Sequence, residues 1–136
     1  MPIQYTFIEH PPVLHLRYSG QFTMQTSLDA VAEYSQNPKF VAEMPHLIDL
    51  SGIHVFTTDH KEFIEAQIRL LEQYGEYRYE STSVFLAPTP AARQLAAMAT
   101  NMWSEVPGIN LRTVEDIAHA AVILGLPDSY VDSLAA

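Results

Sequence analysis

Residues Leu47-Ile48-Asp49-Leu50-Ser51-Gly52-Ile53 constrain the fold of this chain more than any other stretch. Leu47, Ile48 and Leu50 form a near-continuous apolar run, the mark of a parallel strand covered on both faces. Such a strand needs helices above and below it, which predicts alternating strands and helices on either side. A polar loop with Thr57-Thr58-Asp59 follows, and then a long amphipathic segment. In open α/β sheets, ligands and partners bind at that carboxyl end of the strands.

The flanking sequence fits this frame. Ile3 to Glu9 and Val13 to Tyr18 alternate with period two, and Pro11-Pro12 between them marks a turn, so they are predicted to form an antiparallel edge pair. Ser19-Gly20 is expected to end the second strand, with Thr23 capping a helix from Met24 that stops at Asn37-Pro38. Asp59 stands three residues before Glu62, the spacing of a capping box, and Phe63, Gln67, Leu70 and Tyr74 lie along one side of the second helix with Ile64, Ile68 and Leu71 beside them. Val84-Phe85-Leu86 reads as a buried strand, and Thr89-Pro90 as a helix start ending at Pro107-Gly108. Ile109, Leu111 and Arg112 read as the last strand. Thr113 and Asp116 repeat the capping-box spacing before a closing helix that ends at Gly125, and the tail from Leu126 is expected to be weakly structured. The predicted fold is α/β, a mainly parallel sheet of about five strands with an antiparallel amino-terminal edge pair and about four helices.

Length and charge narrow the function classes. A chain of 136 residues is read as one domain spanning 1–136. With no cysteine, disulfides and thiolate metal sites are excluded. Seven Lys and Arg stand against sixteen Asp and Glu, a net charge of −9. A uniform phosphate-binding surface is therefore not expected, so neither nucleic acid nor an anionic membrane is an expected partner. The acidity serves solubility or a partner with a basic patch. Met1-Pro2-Ile3-Gln4-Tyr5 does not open a secretory signal, and no apolar run approaches the roughly twenty residues of a membrane span, so a cytoplasmic location is expected.

The opening strand pair ending in Tyr18-Ser19-Gly20, the strand end Asp49-Leu50-Ser51-Gly52, the long second helix, and the ending Ala120-Ala121-Val122-Ile123-Leu124-Gly125-Leu126-Pro127 occur in an order that resembles the STAS domains. These share the fold of sulphate transporters and anti-sigma-factor antagonists, and the likeness is to the SpoIIAA-like group in particular. The resemblance implies a small regulatory domain. In sporulation-type members a serine at the start of the second helix is phosphorylated by a partner kinase, which switches binding to an anti-sigma factor. Phosphate at a helix amino terminus would change docking in this way. Carried over without gaps, the acceptor position falls on Asp59, after Thr57 and Thr58, and a carboxylate is not a serine-kinase acceptor. A one-residue shift would place Thr58 there.

The expected function is accordingly non-catalytic, a regulatory or binding domain working through protein contacts. The expected surface is Asp49, Ser51, Thr57, Thr58, Asp59 and His60, where Asp49 and Ser51 hold the loop and Thr58 and Asp59 face the partner. Asp59 reads either as a fixed mimic of a phosphorylated residue or as a plain helix cap. No metal is expected, because Asp49, His54, Asp59 and His60 match no ligand spacing, and no cofactor is expected either. Ser51 lacks the Gly-x-Ser-x-Gly elbow, and His10, His15, His46 and His119 read as structural. Tyr74, Tyr77, Tyr79 and Arg78 read either as a recognition surface or as packing of the helix end. The alternative function is a binder of an apolar or lipid-like small molecule, by analogy with the related lipid-transfer fold. Its expected lining is Phe63, Met98, Met102 and Trp103, for which core packing is the competing reading. Exposed edge strands and an aromatic second helix make a homodimer a reasonable assembly.

Overall fold

The computed structural model describes residues 3–21, 23–41, 43–55, 61, 63–65, 68–69, 72, 81–104 and 108–135, without the side chains of Gln21, Met24, Val55, Met102 and Ala135. The strands are β1 (Ile3–Glu9), β2 (Pro12–Gln21), β3 (His46–Val55), β4 (Ser81–Leu86) and β5 (Ile109–Val114). Helix α1 (Met24–Tyr34) lies between β2 and β3, and α3 (Pro90–Trp103) lies between β4 and β5. Helices α4 (Ile117–Leu124) and α5 (Asp128–Ala135) close the chain. Between β3 and β4, residues 61, 63–65, 68–69 and 72 are helical and are labelled α2.

The fold is α/β, with one five-stranded sheet in the order β1-β2-β3-β4-β5. β1 and β2 run antiparallel, from Ile3 opposite Tyr18 to Glu9 opposite Pro12. The remaining neighbours are parallel. This follows from the covalent connections: a tight turn suffices for the first pair, whereas parallel neighbours need a crossover such as a helix. Each strand sits next to its sequence neighbour, so each crossover spans a single strand spacing.

Local chemistry fixes the helix starts. Thr23 accepts from the Thr26 amide, Thr89 from the Ala92 amide with Pro90 opening the helix, and Asp116 from the His119 amide. Asp116 is thus itself the cap of α4, while Thr113, which the spacing had suggested as the cap, lies within β5. Gly125 ends α4 in the left-handed region at φ 70°. The strand-ending role expected of Ser19-Gly20 is not seen. β2 continues to Gln21 by taking up register shifts against β3, with Gly20 at φ 78°.

The sheet is covered on both sides. On one face α1 packs Val31 and Tyr34 over Leu14 and Leu16, and Phe63 of α2 with Leu95 and Ala96 of α3 packs over Leu50, Ile53 and Phe85. On the other, Ala120, Ala121 and Leu124 of α4 cover Val13, Leu47, Val84, Leu86 and Val114. Burying each such aliphatic side chain contributes about 1.5–3 kcal/mol. The tail differs from expectation. It forms α5, because Tyr130 and Val131 find apolar partners in this second layer. Among the described residues, no helix is long and apolar enough to cross a membrane.

Candidate functional site at the carboxyl ends of β2 and β3

Polarity rises along the α4–α5 face of the sheet toward the strand carboxyl ends. In β2 the inward series is Val13, His15, Arg17, and in β3 it is Leu47, Asp49, Ser51, with Arg17 directly opposite Asp49. Val13 and Leu47 are fully buried, whereas Arg17 and Ser51 are exposed. The buried floor thus ends in an open polar shelf.

Asp49 fixes the shape of that shelf. One carboxylate oxygen accepts from the Ser51 amide at 2.9 Å and from the Ser51 hydroxyl at 2.5 Å. This local bonding satisfies the Ser51 amide within β3 and turns the Ser51 hydroxyl toward its own strand. Gly52 follows where β2 comes closest, since a Cβ there would stand 2.6 Å from the Tyr18 carbonyl oxygen. Glycine is the residue such an approach admits.

His15 closes the buried side of the shelf. Its Nδ1 lies 2.6 Å from the Tyr130 hydroxyl of α5, and the two rings meet edge to face at 5.9 Å. Its Nε2 is buried with no hydrogen-bond partner among the described residues. Burial pushes the imidazole pKa down to about 4, with nearby Asp49 opposing the shift and Arg17 reinforcing it. Tyr130 is raised, first by burial, with Asp49 adding to the rise and Arg17 countering it. His15 is therefore neutral at pH 7 and engaged with Tyr130.

The expected surface residues divide. Asp49 and Ser51 are at the shelf and bonded to each other. Thr57, Thr58, Asp59 and His60 lie outside the described residues, as do Glu62 of the predicted capping box and Tyr74, Tyr77, Arg78 and Tyr79. Farther along the chain, α2 buries Phe63 to 2% exposure and leaves Ile64 and Ile68 at 43% and 46%. At 3.6 residues per turn those two stand roughly 100° and 140° around the helix from Phe63, side by side on its flank. The sequence pattern had placed them beside the core-facing stripe. An apolar arc that wide was the available signal that part of it faces outward.

Of the residues expected to line an apolar cavity, the described side chains divide between two places. Phe63 is in the core, Met98 packs against the same cluster, and Trp103 lines a separate groove beside β5. The side chain of Met102 is outside the described set. Among the described residues, no group of three or more His, Asp or Glu is placed to hold a metal ion. No protein-family model matches the chain, and no curated protein matches it.

Proposed function

We propose that the chain is a non-catalytic, STAS-like regulatory domain that binds a protein partner across the carboxyl end of β3 and the start of α2. The observation that carries this reading is the exposed Ile64–Ile68 pair, one helical turn apart on α2, the helix that follows β3 in the chain. Adjacent apolar side chains on an exposed helix flank are what a partner's apolar ridge would cover. Lys61, Glu65, Arg69 and Glu72 are exposed on the same helix and would supply a polar rim. A non-catalytic role fits the local chemistry, since Ser51 donates to Asp49 while His15 is engaged with Tyr130. The order of elements that first suggested the STAS resemblance supports a regulatory rather than a metabolic role. Asp59 and Thr58 would then present charge and hydroxyl at the edge of this surface.

The test is partner capture with the full chain as bait, comparing wild type with the double substitution Ile64→Glu and Ile68→Glu. Val122→Glu serves as control, because Val122 is 81% exposed on α4, on the opposite face of the sheet. A protein retained by wild type and by the control but lost from the double variant is the expected result. Equal retention by all three would refute the surface.

A further inference from the structure

A groove of about 680 Å³ crosses β5, the last strand of the described sheet, at the amino-terminal ends of the strands, away from the shelf. It runs between the carboxyl ends of α3 and α4, with Trp103 on one side and Ile123 and Leu124 on the other. Its size falls in the range of pockets that hold small molecules, roughly 300–1,000 Å³.

The polar groups along it are unequal. Thr100 donates its hydroxyl to the Ala96 carbonyl at 2.8 Å, and Ser104 donates to the Asn101 carbonyl at 2.9 Å, so both hydroxyl protons are committed within α3. Arg112 is the charged residue of the lining and forms no ion pair or hydrogen bond among the described residues. Its neighbour Asn110 adds an amide on the same strand. The two helix carboxyl ends favour a guanidinium standing there without a carboxylate partner among the described residues. A guanidinium offers a fork of donors matched to a planar or tetrahedral anion. The chain's net charge of −9 disfavours polyanions, which leaves a single negative charge on a largely apolar body.

We propose that this groove is a binding site for a small monoanionic amphiphile, an aromatic or short aliphatic body carrying one carboxylate or sulfonate. The body lies against Trp103 and Ile123, and the anionic group meets Arg112. The site is independent of the protein-contact reading, which occupies the other end of the sheet.

The chain supplies its own reporter, because Trp103 is its single tryptophan. Anilinonaphthalenesulfonate, an anionic aromatic probe, is titrated into the full chain while tryptophan emission and energy transfer to the probe are followed. Saturable quenching of Trp103 with one probe per chain is expected, together with a rise in melting temperature. Arg112→Gln should weaken binding by at least about tenfold, and the uncharged analogue phenylnaphthylamine should bind wild type and variant alike. Arg112 is exposed, so the variant is expected to fold, and a second variant, Arg112→Lys, should recover part of the affinity by restoring the charge. The proposal is overturned by an absence of saturable quenching, by equal probe affinity in wild type and Arg112→Gln, or by phenylnaphthylamine binding wild type as tightly as the sulfonate does.

Discussion

Stability should fall steeply with mild acid, and two buried histidines set the size of the effect. His15 and His46 are 1% and 7% exposed, and burial holds each pKa near 4, against 6.5 when free. His46 donates Nδ1–H to the Met44 carbonyl at 2.9 Å, inside a ring cluster with Tyr34 and Phe40. Protonating His15 would put a second N–H on a ring whose Nε2 is buried without a partner among the described residues. A depressed histidine pKa means that the unfolded chain binds more protons than the folded one below pH 6.5. The native state thus keeps its full margin above 6.5 and loses it as pH falls toward 4. At about pH 5 the linkage amounts to about 2 kcal/mol for each histidine, or about 4 kcal/mol together, and it is near zero at about pH 7.5. That is a large part of the 5–15 kcal/mol typical of a domain. Glu9, held low by Lys39 at 3.1 Å, works below the ordinary carboxylate range and so outside this window. The assay is urea denaturation at intervals between about pH 7.5 and pH 5, with His46→Phe, which keeps a ring in the cluster, expected to remove about half of the fall. Proton NMR of the two rings should show them neutral down to about pH 5. A stability that changes by less than about 1 kcal/mol over that range would refute the buried, neutral assignment.

Two substitutions probe the packing that positions the shelf and α2. Gly52→Ala would set a Cβ 2.6 Å from the Tyr18 carbonyl oxygen and 3.1 Å from the Ser19 Cα, backbone atoms that cannot rotate away. It should cost about 1–3 kcal/mol and lower the melting temperature by roughly 3–10 °C in a circular-dichroism scan; an unchanged melting point would contradict the close approach of β2 and β3. Phe63→Ala, at a site 2% exposed, should cost about 3–5 kcal/mol by chemical denaturation, while Ile64→Ala one position on, 43% exposed, should cost less than about 1 kcal/mol. Equal losses at the two positions would mean that α2 is rotated from the orientation described.

What the sequence revealed was local. Thr89-Pro90 and Gly125 specify a helix boundary through atoms a few residues away, and the alternation of Ile3 to Glu9 specifies an edge strand through its own side chains. Asp49 and Ser51 could be paired because the bonds between them span two residues, but the strand end expected there is not seen, since β3 runs on to Val55. What escaped was set at long range. His15 looked like one more scattered histidine, and its partner Tyr130 is 115 positions away in a tail too short to show a helical period. That partner is also why the tail folds, since an eight-residue helix is marginal without tertiary contacts. Arg112 reads as an ordinary strand residue until the sheet order makes β5 an edge and leaves its flank open.

The shelf and the groove lie at opposite ends of parallel strands, and that placement makes their functions separable. On the α4–α5 face polar residues replace apolar ones along β2 and β3 toward the carboxyl ends, whereas the groove gathers Trp103, Ile123 and Leu124 around one cation at the amino ends. Between them run Leu47, Val84 and Leu50, all at 1% exposure or less. Distant sites that share no partner act additively, so Ile64→Glu with Ile68→Glu should leave probe binding at Trp103 unchanged, and Arg112→Gln should leave partner capture unchanged. If either change moved the other readout, the close-packed centre of the sheet would have to hold two arrangements. The domain would then be a switch whose ligand state sets its partner state, rather than a scaffold with two independent surfaces.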